Sequence, residues 1–193
     1  MRHLFLICIV CLTGKVHAQN ADIAALASRC LPTAPLSTLS AIIRTESNGN
    51  PNAMQIDFPK SLLRRWHLPN GTLRLHRQPS DQREALDWLA YLQHYAVFVD
   101  LGLMQVSTAE ARRRGVPAES LLDPCTNLRV GWQILEEDYR LEMKTYGPGQ
   151  DALRHAISRY NTGDSTRGID NGYLGQVLTA SGVLDATPAS AGR

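Results

Sequence analysis

Three short stretches of the chain carry side chains whose types and spacing suit chemistry. Glu46 stands seven residues after Leu39 and three after Ile43, spacings that place it on the same helical face as those apolar side chains. A carboxyl on a core-facing stripe loses water. Desolvation lifts its pKa from about 4.3 toward roughly 6 or above, the condition for a general acid near neutral pH. The alternative is a glutamate that frays into solvent at a helix end. Ser47 beside it either holds a carboxyl oxygen or is an ordinary residue before a turn. The second stretch, Gly102-Leu103-Met104-Gln105, offers an amide and a thioether at a glycine-dependent turn. It either lines a groove or is plain turn chemistry with Leu103 and Met104 in the core. The third is Tyr160-Asn161-Thr162-Gly163, followed by Gly172-Tyr173, with aromatic faces and amide donors that suit neutral sugars. Its alternative is a helix C-cap with a tyrosine packed beneath. The six histidines form no HExxH and no His/Cys cluster at ligand spacing, so neither a metal nor a cofactor is expected.

The elements that must position these residues read as mostly helical. Asp22 to Cys30 is a short helix stopped by Pro32, and Leu36 to Ser47 is a second, ended by Asn48-Gly49-Asn50-Pro51. Residues 55–80 read as irregular, with one alternating patch, Thr72 to His76, that predicts a strand of a small β-hairpin. Gln82 to Val99 reads as an amphipathic helix and Asp100 to Val106 as a turn. Ser107-Thr108-Ala109-Glu110 is a capping box, and Gly115 closes the helix it starts. Thr126 or Asn127 caps the longest periodic segment, which runs to about Lys144. Asp151 to Tyr160 and Tyr173 to Ala180 are the last helices. These patterns predict a mainly α single domain.

The chain has 193 residues, 44% hydrophobic and 20% charged, which excludes a disordered tail protein and leaves no room for two full domains. Met1-Arg2-His3, the uncharged run Leu4 to Leu12 and Val16-His17-Ala18 read as a secretory signal over residues 1–18. The run is too short for a membrane anchor. Residues 19–185 are then the folded domain, and 186–193 a small, polar, disordered tail. Removing the leader takes away Arg2 and Lys15 and no acid, leaving 18 basic and 18 acidic residues. A neutral chain gains no general electrostatic pull toward nucleic acid or anionic lipid. Cys8 and Cys11 lie in the leader. Cys30 and Cys125 remain, an even pair in a chain bound for an oxidising compartment, which predicts one disulfide, with two buried free thiols as the alternative.

Taken in order, Glu46-Ser47, Gly102-Leu103-Met104-Gln105, Tyr160-Asn161-Thr162-Gly163 and Gly172-Tyr173 resemble the successive motifs of soluble lytic transglycosylases of the lysozyme-like superfamily. The short single-domain length, and the cysteine of Asp123-Pro124-Cys125-Thr126-Asn127-Leu128 paired by implication with Cys30, resemble the branch serving type IV secretion and conjugation. The resemblance implies a lysozyme-like fold and a periplasmic enzyme acting on peptidoglycan glycan strands, with type IV secretion or conjugation components as possible partners. It implies Glu46 as catalytic acid and base, Ser47 orienting it and Tyr173 bonding toward its carboxyl. Met104 and Gln105 then line the groove, and Tyr160 and Asn161 contact the sugar. Residues 56–81 are longer and more basic than a minimal core of this kind. Trp66 within them is either a glycan platform or a core anchor.

Glycoside hydrolysis ordinarily uses two carboxylates, and the motif set offers one. In the resembled enzymes the substrate supplies the nucleophile: the muramic acid 6-hydroxyl closes on C1 and leaves a 1,6-anhydro sugar at the cleaved MurNAc-GlcNAc β-1,4 bond. Two rivals stand beside this. One is a hydrolytic muramidase in which Asp100 or Asp57 positions water. The other is a periplasmic assembly factor that binds glycan without cutting it.

Overall fold

A computed structural model describes residues 23–58, 64, 72–75, 77–95 and 97–182 of the chain. The leader expected over 1–18, the tail expected over 186–193, Trp66 and most of the basic stretch between 59 and 71 lie outside the described residues.

Eight helices among the described residues pack around a small sheet. Helix α1 covers residues 23–30 and α2 covers Leu36–Ser47. Leu39, Ile42 and Ile43 are fully buried on the inner face of α2, so its amphipathic pattern does set its packing. The helix stops where Asn48 turns left-handed at φ 52°. Strand β1 (Met54–Asp57) follows, pairing with β2 (Thr72–Arg74) on one side and β3 (Phe98–Leu101) on the other. The two-residue β4 (Val106–Ser107) extends β3, giving an antiparallel sheet in the order β2-β1-β3-β4. This is larger than the expected hairpin. The missed signal is the alternation in β1, where Met54 and Ile56 are buried while Gln55 and Asp57 face outward.

Helix α3 (Gln82–Gln93) is capped by Asp81, whose carboxylate accepts from the Glu84 amide at 2.9 Å. The sequence pattern predicts this helix as far as Val99; it ends at Gln93. Val97-Phe98-Val99 is β-branched and aromatic, and pairing with β1 draws Phe98 and Val99 into the sheet. Helix α4 (Thr108–Arg113) starts at Ser107, whose hydroxyl accepts from the Ala109 amide. Glu110 does not reach back to complete the capping box; it pairs with Arg113 and Arg114 instead. A 3-10 turn over Ala118–Leu122 leads to α5 (Pro124–Tyr146). The cap of α5 is Asp123, not Thr126 or Asn127, with Pro124 in the first turn where its missing N–H costs nothing. Helices α6 (Gln150–Thr162), α7 (Arg167–Asp170) and α8 (Tyr173–Ala180) are the last elements among the described residues.

Two buried groups join these layers. Glu142 of α5, 3% exposed, is paired with Arg159 of α6 at 2.6 Å and accepts from the Ser165 hydroxyl at 2.7 Å. A buried charge persists only when paired this fully. Cys30 at the end of α1 is disulfide-bonded to Cys125 in the first turn of α5, with Cα atoms 5.1 Å apart. The bridge spans 95 residues of sequence, and in the chain-entropy view a loop of that length contributes about 4–5 kcal/mol. Both thiols are therefore expected to resist a maleimide reagent until reduced. Replacing both cysteines with serine is expected to lower stability by about 3–4 kcal/mol in urea unfolding.

Candidate functional site

A cleft of about 780 Å³ runs between the sheet and the helices, and Glu46, Gln55, Asp57, Asp100, Gln105, Asp138, Tyr160 and Asn161 all line it. Glu46 enters from the last turn of α2. Its carboxyl accepts a short hydrogen bond from the Tyr173 hydroxyl at the start of α8. Burial pushes Glu46 from its ordinary 4.5 up to about 7; the Tyr173 bond opposes the shift and the negative charge of Asp100 adds to it. The negative end of the α2 dipole works in the same direction.

The turn that carries Gln105 is held by one side chain. Asn127, fully buried on α5, donates to the carbonyls of Leu101 at 2.7 Å and Leu121 at 2.9 Å and accepts from the Met104 amide at 2.8 Å. Gly102 must be glycine here: its φ is 75°, and a Cβ would stand 2.4 Å from the Asn127 amide nitrogen. Gln105 takes a left-handed φ of 46°, uncommon for a residue with a side chain. Its amide donates to the carbonyls of Ala53 and Gly102 at 3.0 and 2.9 Å, which fixes the side chain at the cleft. Tyr160 donates to the Met104 carbonyl at 2.7 Å, tying α6 to the same turn. Burial and the nearby carboxylates push the Tyr160 phenol well above its ordinary value, so it remains a donor.

The structure brings Glu46, Gln105, Tyr160, Asn161 and Tyr173 together. Two expected roles change. Ser47 does not touch the Glu46 carboxyl; its hydroxyl donates to the carbonyls of Ile43 at 3.1 Å and Leu103 at 2.8 Å, pinning α2 to the turn. Met104 does not line the cleft. Its side chain is fully buried against Gly131 of α5, where an added Cβ would stand 2.7 Å from the sulfur. Asn161 and Thr162 belong to α6 rather than to the loop after it, and Asn161 is exposed at the cleft, accepting from Asn171 at 3.4 Å. The group that sequence reasoning missed is Asn127. A buried asparagine three residues into a helix carries no motif, although its Asp-Pro-Cys-Thr-Asn context does give the cap.

The transglycosylase SLT domain family matches residues 25–175 of the chain, from α1 through Tyr173 and into α8. The chain belongs to that family. Protein virB1 of Agrobacterium fabrum is 32% identical over 169 residues, 88% of this chain and 63% of that protein. The type IV secretion system protein virB1 of Brucella abortus is 35% identical over 145 residues, 75% of this chain and 55% of that one. The chain thus spans a little over half the length of these curated relatives. No solved structure matches it. Within the SLT domain described here, no helix among the described residues is long and apolar enough to cross a membrane.

The elevated Glu46 pKa has a thermodynamic sign. The folded state holds a proton between pH 4.5 and 7 that the unfolded state has released, so stability falls as pH rises through that window. Glu46→Gln is expected to abolish this loss and to be more stable than the parent at pH 8 by about 3 kcal/mol, read as a difference in unfolding midpoint. Asn127→Ala, by contrast, strands three buried backbone groups and is expected to cost about 3 kcal/mol or more by denaturant titration.

Proposed function

We propose that this protein is a peptidoglycan lytic transglycosylase of the periplasm that cuts the MurNAc-GlcNAc β-1,4 bond and opens the wall locally for a type IV secretion or conjugation apparatus. The observation that carries the reading is the Glu46 carboxyl, bonded to Tyr173 and raised to about 7 inside a cleft bordered by amide and phenol donors. SLT family membership and the virB1 relatives support the substrate class and the secretion setting.

In the first step protonated Glu46 gives its proton to the glycosidic oxygen, and the bond from that oxygen to C1 breaks. The carboxylate left behind takes the proton of the muramic acid 6-hydroxyl as that oxygen bonds to C1, closing the 1,6-anhydro ring. One group serves as acid and then as base because its pKa lies near the working pH. Tyr173 holds the carboxyl in one orientation through both steps. Gln105, whose amide hydrogens are both engaged by backbone carbonyls, presents its side-chain oxygen as an acceptor, and Asn161 presents its amide as a donor, to sugar hydroxyl and acetamido groups; a neutral glycan needs no more charge than that.

Digestion of purified murein followed by mass spectrometry is the test. Glu46→Gln is expected to lower cleavage by at least about a thousandfold while the protein remains folded, given what loss of a general acid typically costs. Retention of most activity overturns the assignment. The rate of the parent is expected to be flat at acidic pH and to fall tenfold per unit on the alkaline side of about 7, because the acid form starts the reaction. A pH-independent rate between 5 and 8 contradicts it.

A further inference from the structure

The outer surface of α3 carries more aromatic area than its packing requires. Ala85, Leu89 and Leu92 supply the buried stripe of this helix. Beside that stripe Trp88, Tyr91 and, in the turn just past the helix, Tyr95 follow one another at helical spacing and form a second row facing solvent. They are 38%, 55% and 45% exposed, and Phe98 at the start of β3 is 38% exposed. Of the five exposed aromatic side chains among the described residues only Tyr146 lies elsewhere, so the exposure is concentrated in one patch and not scattered. The rings touch in sequence. Trp88 meets Tyr91 edge to face with centroids 6.1 Å apart, Tyr91 meets Tyr95 at 5.1 Å, and the Tyr95 hydroxyl donates to the Tyr91 hydroxyl at 3.1 Å.

This row begins where the cleft ends. Phe98 stands directly opposite Asp57 in the pairing of β1 with β3, so the two side chains share one face of the sheet, and Asp57 lines the cleft. Phe98 itself lies outside the cleft lining and borders a separate groove of about 690 Å³ together with Gln93, the last residue of α3. A strand that leaves the cleft past Asp57 therefore meets Phe98 first and the tyrosines next. We propose that this aromatic row is a second sugar-binding surface, onto which a neutral β-1,4 glycan strand continues from the cleft. The proposal rests on the reading of the cleft as a glycan site. Pyranose rings offer C–H groups on their faces and hydroxyls on their rims, which suit aromatic faces with a phenol at the edge. Centroid spacings of 6.1 and 5.1 Å are close to the length of one sugar ring in such a strand. Trp88 and Tyr95 are separated by about 10 Å along the axis, room for a short run of rings. An ionic partner finds no counter-charge in the row, and a purely apolar one would strand the Tyr91 hydroxyl; a polyhydroxylated chain meets both conditions.

Co-sedimentation with insoluble murein reads binding apart from catalysis. In a Glu46→Gln background, changing Trp88 and Tyr91 together to alanine is expected to weaken binding to murein by about tenfold, and either change alone by about threefold. Trp88→Tyr with Tyr91→Phe keeps both rings and is expected to keep most of the affinity. With Glu46 in place, the alanine pair is expected to raise KM for polymeric murein by about tenfold and to leave kcat unchanged. A murein tetrasaccharide, which the cleft alone holds, is expected to be cut at the parent rate. Unchanged co-sedimentation in the single and double alanine variants overturns the proposal. An equal loss on the tetrasaccharide also overturns it, because the effect then lies within the cleft. A parent dimer in analytical ultracentrifugation that the alanine changes dissociate, with murein binding unaltered, assigns the row to self-association and overturns it as well. Alanine-sensitive murein binding by a parent protein that cuts no glycan supports the aromatic row and overturns the Glu46 reading alone.

Discussion

The geometry of the cleft depends on one buried amide. Asn127 reaches from α5 to the end of β3, to the 3-10 turn and to the turn after Gly102, and satisfies a backbone group in each. Those three segments meet where no regular hydrogen-bond ladder runs, so without a polar side chain their buried carbonyls and amide would be stranded. Gly102 leaves the space that the amide occupies, and Ser47 and Tyr160 bind the same turn from α2 and α6. The turn that carries Gln105 is thus held from three sides, by Asn127, Ser47 and Tyr160.

Around that anchor the electrostatics are arranged by burial rather than by ion pairing. The cations near the cleft, Arg113, Arg159 and Arg167, are engaged by Glu110, Glu142 and Asp164. Glu46 and Asp100 receive no cation among the described ion pairs and rise to about 7. Asp138 on the α5 side is pushed up to about 6 by the same loss of water. A site whose carboxyls hold protons near neutrality can donate them, and its donors and acceptors suit a glycan without net attraction to anions.

Much of this was legible in the sequence. The periodicity of α2 placed Glu46 on the face of Leu39 and Ile43, and burial of that face is why its proton is retained. The Gly102–Gln105 and Tyr160–Gly163 motifs marked segments that the fold does bring to one cleft. The sheet was less legible because its strands are only two to four residues long, too short for alternation to stand out from a turn. Helix α3 was overrun for a related reason: nothing local in Tyr95 to Val99 outweighs pairing with a strand some forty residues earlier in the chain. Ser47 and Met104 sit within motifs yet act inward, since adjacency in sequence to a reacting group does not fix which way a side chain turns. Asn127 was invisible as a clamp because its three partners are gathered only by the fold.

Glu46 and Tyr173 belong to α2 and α8, two helices packed directly on one another and joined again where Arg44 donates to the Ala180 carbonyl at 3.1 Å. Asp57 and Asp100 belong to the sheet, a separate layer. The hydrogen bond between the Glu46 carboxyl and the Tyr173 phenol therefore lies wholly within one layer, and a change in the spacing between that layer and the sheet would not have to break it.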